Sequence, residues 1–303
     1  MAPVITQLPI EALTLGEAPH WHSEDNALYL VSISDRTIHK YEPDTGKHVK
    51  ATLELEPHFI LPVEGKKSHF LITQGRKVVE IEWSGDESPP KILRTVTEVD
   101  HEHPTNVLND GKADPRGRLV TGSYGENPSP DSPKIGALYR IDPDGTTTKL
   151  ASDVQCSNGL CWDLKEEAFY FIDTFLNNIK RFDYDVETGD ISNPTVVFSL
   201  KELGLSGLPD GMTIDTDGNL WVAIMMSSKI LKIDPKMNTL LETFTLPVPQ
   251  VTSATFGGPN LDILYVTTAC LDYGGKPDPP SGATFAVTGL SARGHPNLKF
   301  RMS

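Results

Sequence analysis

Leu208-Pro-Asp-Gly-Met-Thr-Ile214 leads through Asp215-Thr-Asp-Gly-Asn219 into Leu220-Trp-Val-Ala223, after which Ile230-Leu-Lys-Ile233 runs into the turn Asp234-Pro-Lys-Met-Asn238. Short aromatic and β-branched runs separated by turn formers read as a hairpin of pleated strands. The same shape recurs at Leu28-Tyr-Leu-Val31, Phe70-Leu-Ile-Thr73, Leu119-Val-Thr-Gly122, Phe169-Tyr-Phe-Ile-Asp173 and Leu264-Tyr-Val-Thr267. Successive starts lie 42, 49, 50, 51 and 44 residues apart, the mark of a repeat architecture. Partner runs follow most of them, at Ile38-His-Lys-Tyr41, Val78-Val-Glu-Ile81, Leu138-Tyr-Arg-Ile141 and Ile179-Lys-Arg-Phe182, and a third strand leads outward, as in Val49 to Leu55. Three or four strands per repeat with no strong amphipathic helix predict an all-β, six-bladed β-propeller, read as a single domain over residues 1–303. Closure into a ring removes free sheet edges. Residues Val4 to Leu8 are expected to lend a strand to the blade built by the C-terminal segment, and Asn127-Pro-Ser-Pro-Asp-Ser-Pro133 reads as a surface loop.

Composition narrows the function classes. The 303 residues are 38% hydrophobic and 22% charged, a globular balance. Lys plus Arg number 27 against 41 Asp plus Glu, a net charge of −14 that repels phosphate backbones and argues against a nucleic-acid partner. The longest apolar run, Leu220 to Met226, is too short for a membrane span, and Pro3 and Pro9 stand where a signal peptide needs an apolar block. No membrane partner is expected. Cys156, Cys161 and Cys270 are too few for a disulfide framework and read as thiols of a reducing, cytoplasmic setting. With no heptad or interface stripe visible, a monomer is expected.

The repeat also aligns polar residues. Nine to eleven residues before the main strand of each unit stand Glu17, Asn109 with Asp110, Asn158 and Asp210, while the other two units carry Phe59 and Ser253 there. Four units thus aim oxygen-bearing side chains at one mouth of the central channel, where uncompensated carboxylates repel and a cation is the simplest resolution. Hard oxygen donors suit Ca²⁺, Mg²⁺ or Mn²⁺, with Zn²⁺ less favoured. Asn-Gly and Asp-Gly are also common turn pairs, but Glu17 has no turn role. Asp215-Thr-Asp-Gly-Asn219 lacks the spacing of an EF-hand loop and reads as a hairpin turn. His101-Glu-His103 reads as an exposed polar loop. No Gly-x-Ser-x-Gly, Walker or dinucleotide signature is present.

At these residues the chain resembles the senescence marker protein (regucalcin), gluconolactonase and luciferin-regenerating enzyme family. The matching stretches are Gly16-Glu-Ala-Pro-His-Trp21, Leu108-Asn-Asp-Gly-Lys-Ala-Asp-Pro115, Ser157-Asn-Gly-Leu-Cys-Trp162, Leu208-Pro-Asp-Gly-Met212 and Thr252-Ser-Ala-Thr-Phe-Gly-Gly258. The resemblance implies one divalent cation, Ca²⁺ first, on Glu17, Asn158 and Asp210, hydrolysis of a small sugar lactone with Asp210 as general base, and a substrate contact from Asn109. A loop carrying Tyr124, Glu126 and Asn127 is expected to cover the site in part. The family's substrate Glu aligns near Asn127. Two departures stand out. Vertebrate regucalcins read Asn-Arg-Phe-Asn-Asp-Gly where this chain has Asn106-Val-Leu-Asn-Asp-Gly111, so Val107 replaces an Arg that grips sugar hydroxyls. Each lost charged hydrogen bond removes about 1.5–3 kcal/mol of affinity. Ala18 stands in place of the family's Gly, which fits if its φ is negative. Two other readings are kept: a calcium-binding regulatory protein without turnover, and a hydrolase of a less polar lactone or ester.

Overall fold

The computed structural model describes residues 2–275 and 277–303. Among them, 24 strands pair into six four-stranded antiparallel sheets. Five sheets are built from consecutive strands, innermost first; the first blade runs Gly16–His22, Ala27–Ser32, Thr37–Glu42 and Lys47–Thr52. The innermost strands of the other blades are Ile60–Pro62, Val107–Ala113, Ser157–Asp163, Leu208–Ile214 and Val251–Gly257. They lie side by side around a central channel. In the sixth blade the outermost strand is Val4–Gln7, which pairs with Phe285–Thr288 in the register Val4 to Thr288. The N-terminus therefore closes the ring, as its sequence suggests.

Six apolar clusters hold the blades together, one at each interface between neighbours. Trp221, Phe244 and Phe256 join the fifth blade to the sixth. Leu8, Trp21 and Tyr265 join the sixth to the first, with the Trp21 and Tyr265 rings stacked 5.4 Å apart. This placement follows from alternation: residues of one strand face both neighbouring blades, so each sheet is apolar on both sides.

The turns after the innermost strands share a device. Asp114 accepts from the backbone of Arg116 and Arg118, Asp163 from Lys165, and Asp215 from Asp217 and Asn219. These are Asx-type turns, and Asp215-Thr-Asp-Gly-Asn219 is the hairpin turn expected of it. On this underside, the segment after Arg293 forms a strap. It bridges Asp215 through Gly294, holds Trp21 N–H and Thr255 Oγ1 on Asn297 Oδ1, pairs Phe300 in parallel with Val63, and reaches Gly117 and Pro143 through Arg301 and Ser303. Five of the six blades are tied by it.

Bulges interrupt the pairing of innermost and second strands at matching places, between Glu17 and His20, Leu108 and Gly111, Ser157 and Leu160, and Pro209 and Met212. The pairs Asn158-Gly159 and Asp210-Gly211 therefore sit inside strands and form no turn. Their glycines answer a different need. A Cβ on Gly159 would stand 2.6 Å from Met212 N and 2.7 Å from Asp210 O of the next blade. Overpacking against fixed backbone costs about 1–3 kcal/mol, so Gly159→Ala should lower the unfolding free energy by that amount, read as a lower midpoint of urea or thermal unfolding. An unchanged midpoint would show that the blades separate freely here.

Candidate metal centre

The bulges turn one side chain from each affected blade toward the channel mouth. Glu17 is 6% exposed, Asp110 5%, Asn158 6% and Asn109 9%. Burial pushes the Glu17 carboxyl well above its ordinary range, and the charges of Asp210 and Asp110 add to it, against one backbone hydrogen bond from Ala18. Asp210 is pushed up by burial and by Asp110, with the Asn158 amide working the other way. Asp110 rises to about 6, through burial offset in part by Lys112. The charges of three carboxylates from three blades thus meet in one region, where Glu17 and Asp110 are buried and Asp210 is half-buried. They do not converge fully: among the described residues no three His, Cys, Asp or Glu side chains come close enough to form an ion-holding group.

Asn158 is oriented by its own blade and the next. Its Nδ2 donates to Thr174 Oγ1 at 2.9 Å, and that hydroxyl donates to Pro209 O at 3.0 Å. One amide hydrogen is thereby used and the amide also acts on Asp210, while Asn158 Oδ1 is left buried without a partner. An orphaned oxygen in this position is a donor waiting for a cation, because buried acceptors are otherwise paired. Two carboxylates and one carboxamide oxygen therefore fit a hard divalent ion.

Asn109 is used differently. His58 Nδ1 donates to its Oδ1 at 3.0 Å, and its Nδ2 donates to Ser157 O at 2.7 Å, leaving one amide hydrogen for a ligand. His58 is buried and its pKa is lowered chiefly for that reason, so it stays neutral. Val107 pairs across the strands with Tyr124, and the Tyr124 ring meets His58 edge to face at 6.1 Å. Together they make an apolar wall beside the carboxylates. Tyr124 is pushed above its ordinary pKa by burial first, then by Cys156, Glu17, Glu56 and Asp210. Glu126 and Asn127 are exposed on the loop that follows, which Gln155 anchors by donating to the carbonyls of Ser129, Pro130 and Ser132.

The backbone at Ala18 differs from expectation. Its φ is +46°, in the left-handed region, where a Cβ costs roughly 1–2 kcal/mol. The bulge that presents Glu17 imposes this angle. Other residues near the site carry no repeat signal. Tyr273, on the connection between the last two C-terminal strands, is raised by burial and by Asp210. Asn109 and Asp110 do stand at the repeat offset, and the bulge between Leu108 and Gly111 gives them their different surroundings. Cys156 and Cys161 are buried as expected, the latter pushed up to about 12 chiefly by burial.

A six-bladed propeller whose innermost strands bring buried carboxylates to one mouth defines the class. The profile of the SMP-30/Gluconolactonase/LRE-like region matches residues 15–270, and the chain belongs to this family. Zebrafish (Danio rerio) regucalcin is 33% identical over 289 residues, 94% of each chain. A solved luciferin-regenerating enzyme superposes with a TM-score of 0.96 at 35% identity, covering 99% of this chain and 100% of that one. Regucalcin from Agrobacterium tumefaciens, described as a calcium-binding protein, shares the fold at a TM-score of 0.84 and 23% identity over 96% and 95% of the two chains. No helix among the described residues is long and apolar enough to cross a membrane.

The raised carboxylates make a pH prediction. A carboxyl whose folded pKa lies above its unfolded value weakens the fold as pH rises from the unfolded pKa, about 4, through the folded one, near 6 for Asp110. The buried neutral histidines act in the opposite direction, so the measurement must be a difference between variants. In chelator at pH 7.5, Asp210→Asn should melt higher than wild type, and the gap should narrow toward pH 5.5. Calcium should raise the melting temperature of wild type and not of the variant. A gap that is absent or pH-independent would mean that Asp210 is not held as a crowded charge.

Proposed function

We propose that the chain is a divalent-metal-dependent hydrolase of lactones, with Glu17, Asn158 and Asp210 holding the ion and Asp210 also serving as general base. The observation that carries this reading is the unpartnered Asn158 Oδ1 near the buried Glu17 carboxyl and the half-buried Asp210 carboxyl. Family membership supports a lactone as the substrate class. A bound cation of this kind supplies a Lewis acid for the carbonyl and acidifies water. Calcium is the first choice on donor type, with Mg²⁺, Mn²⁺ or Zn²⁺ as alternatives.

The chain's own residues do the rest. Asp210, half-buried at the mouth, takes the proton from the attacking water, a step worth about 10²–10⁴-fold when the base is well placed. Asn109 offers its remaining amide hydrogen to a substrate oxygen, in a position fixed by His58 and Ser157. Glu126 and Asn127 stand on the loop beside Tyr124 and approach the substrate from outside the wall.

A second reading concerns polarity. Val107 opposite Tyr124 gives the wall no charged donor for sugar hydroxyls, which favours a less polar lactone or ester. Metal-stripped protein should be assayed with D-glucono-δ-lactone and with γ-nonalactone after adding each cation in turn. Turnover of either is expected to require the cation and to fall at least 100-fold in Asp210→Ala; wild-type-like turnover in that variant would discard the mechanism. Val107→Arg should raise activity on the sugar lactone about 10-fold or more, the value of a charged hydrogen bond. Tight calcium binding with no turnover of any lactone would favour a regulatory role instead.

A further inference from the structure

Beneath the acidic mouth the channel opens into a cavity of about 360 Å³. The second halves of the innermost strands line it, with the C-terminal strap closing part of its floor. Ile60, Leu61, Ala113, Ile214, Pro296 and Leu298 are among its walls. Glu17, Asn158 and Asp210 do not border it, and Asp110 marks the boundary between the two compartments. Its volume lies within the range of small-molecule sites.

Polar groups on this mainly apolar lining lack partners. His20 is 7% exposed and its Nε2 makes no hydrogen bond. Burial, with His22, Lys112 and Lys299 nearby, lowers its pKa to about 3, so the ring is neutral and offers one N–H. Lys112 Nζ donates to Met212 O at 2.6 Å, which leaves its other hydrogens without a protein acceptor. The Trp162 Nε1 is also buried and unpaired. The Lys112 ammonium, half-buried on the cavity wall with hydrogens to spare, is placed to hold an acceptor from outside the chain.

Charge narrows the class. Asp110, Asp163 and Asp215 border the cavity together with Lys112 and Lys165, so a free anion meets the acids and a free cation meets Lys112. We propose that this lower chamber is a binding site, separate from the acidic mouth, for a small, neutral, mainly apolar molecule with one carbonyl-type acceptor held by Lys112 Nζ. The proposal goes beyond the lactonase reading and does not rest on it.

The test uses the full chain and 6-propionyl-2-(dimethylamino)naphthalene, a neutral naphthyl ketone whose emission moves to the blue in apolar surroundings. One saturable site with blue-shifted emission is expected, with the same affinity in calcium and in chelator. Lys112→Met should weaken it about 10-fold or more. No saturable binding up to about 100 µM, displacement by calcium, or full affinity in Lys112→Met would each overturn the proposal. Should that variant fail to fold, Leu164→Trp serves in its place: Leu164 is 55% exposed on the cavity rim, away from the core. Narrowing the entrance there should also weaken binding, and unaltered binding would overturn the proposal equally.

Discussion

The pairing of Val4–Gln7 with Phe285–Thr288 brings the two ends of the chain into one sheet. Once the ring is closed, the innermost strands have no freedom to spread, and their bulged positions must share the mouth of one narrow channel. The same closure sets the clearances that leave room only for a hydrogen at Gly159. Each blade contributes little by itself, since a single sheet apolar on both faces cannot bury its surface alone. The clusters between neighbouring blades supply that burial, and they hold the strands in the register that turns Glu17 and Asp210 inward.

That arrangement is unfavourable without a compensating positive charge. Buried carboxylates are costly when they are neither paired nor neutralised, and here Asp110 raises Asp210, both raise Glu17, and Asn158 Oδ1 goes unpartnered. The left-handed angle at Ala18 adds local strain. Crowded charge and strained backbone in one place are what a binding centre requires and a purely structural core avoids. The nearby contacts of Asn158 with Thr174, and of Asn109 with His58 and Ser157, leave these amides little freedom to relax away from one another.

Much of this was legible in the sequence, because a repeat places residues of equal offset at equal radius. The strands beginning at Leu28, Phe70, Leu119, Phe169, Leu220 and Leu264 announce six blades, and Glu17, Asn158 and Asp210 stand out by their offset. The residues that stayed hidden had no such periodic signal. Tyr273 and His58 come from connections outside the strands. Asn109 and Asp110 did carry the periodic offset, and only their different surroundings depend on a bulge in which two residues face one. The angle at Ala18 belongs to the bulge between Glu17 and His20, which spacing alone does not reveal. The strap lacks the alternation of a strand and gives no pattern to read.

The strap has a consequence for how the molecule comes apart. In an open array of repeats the terminal unit can fray by itself, since it is held by one neighbour only. Here Gly294, Asn297, Phe300, Arg301 and Ser303 link blades that do not touch one another. Peeling one blade away must therefore also loosen bonds on distant ones, which favours concerted unfolding over stepwise unravelling. A circle belted from below in this way has no natural first segment to lose.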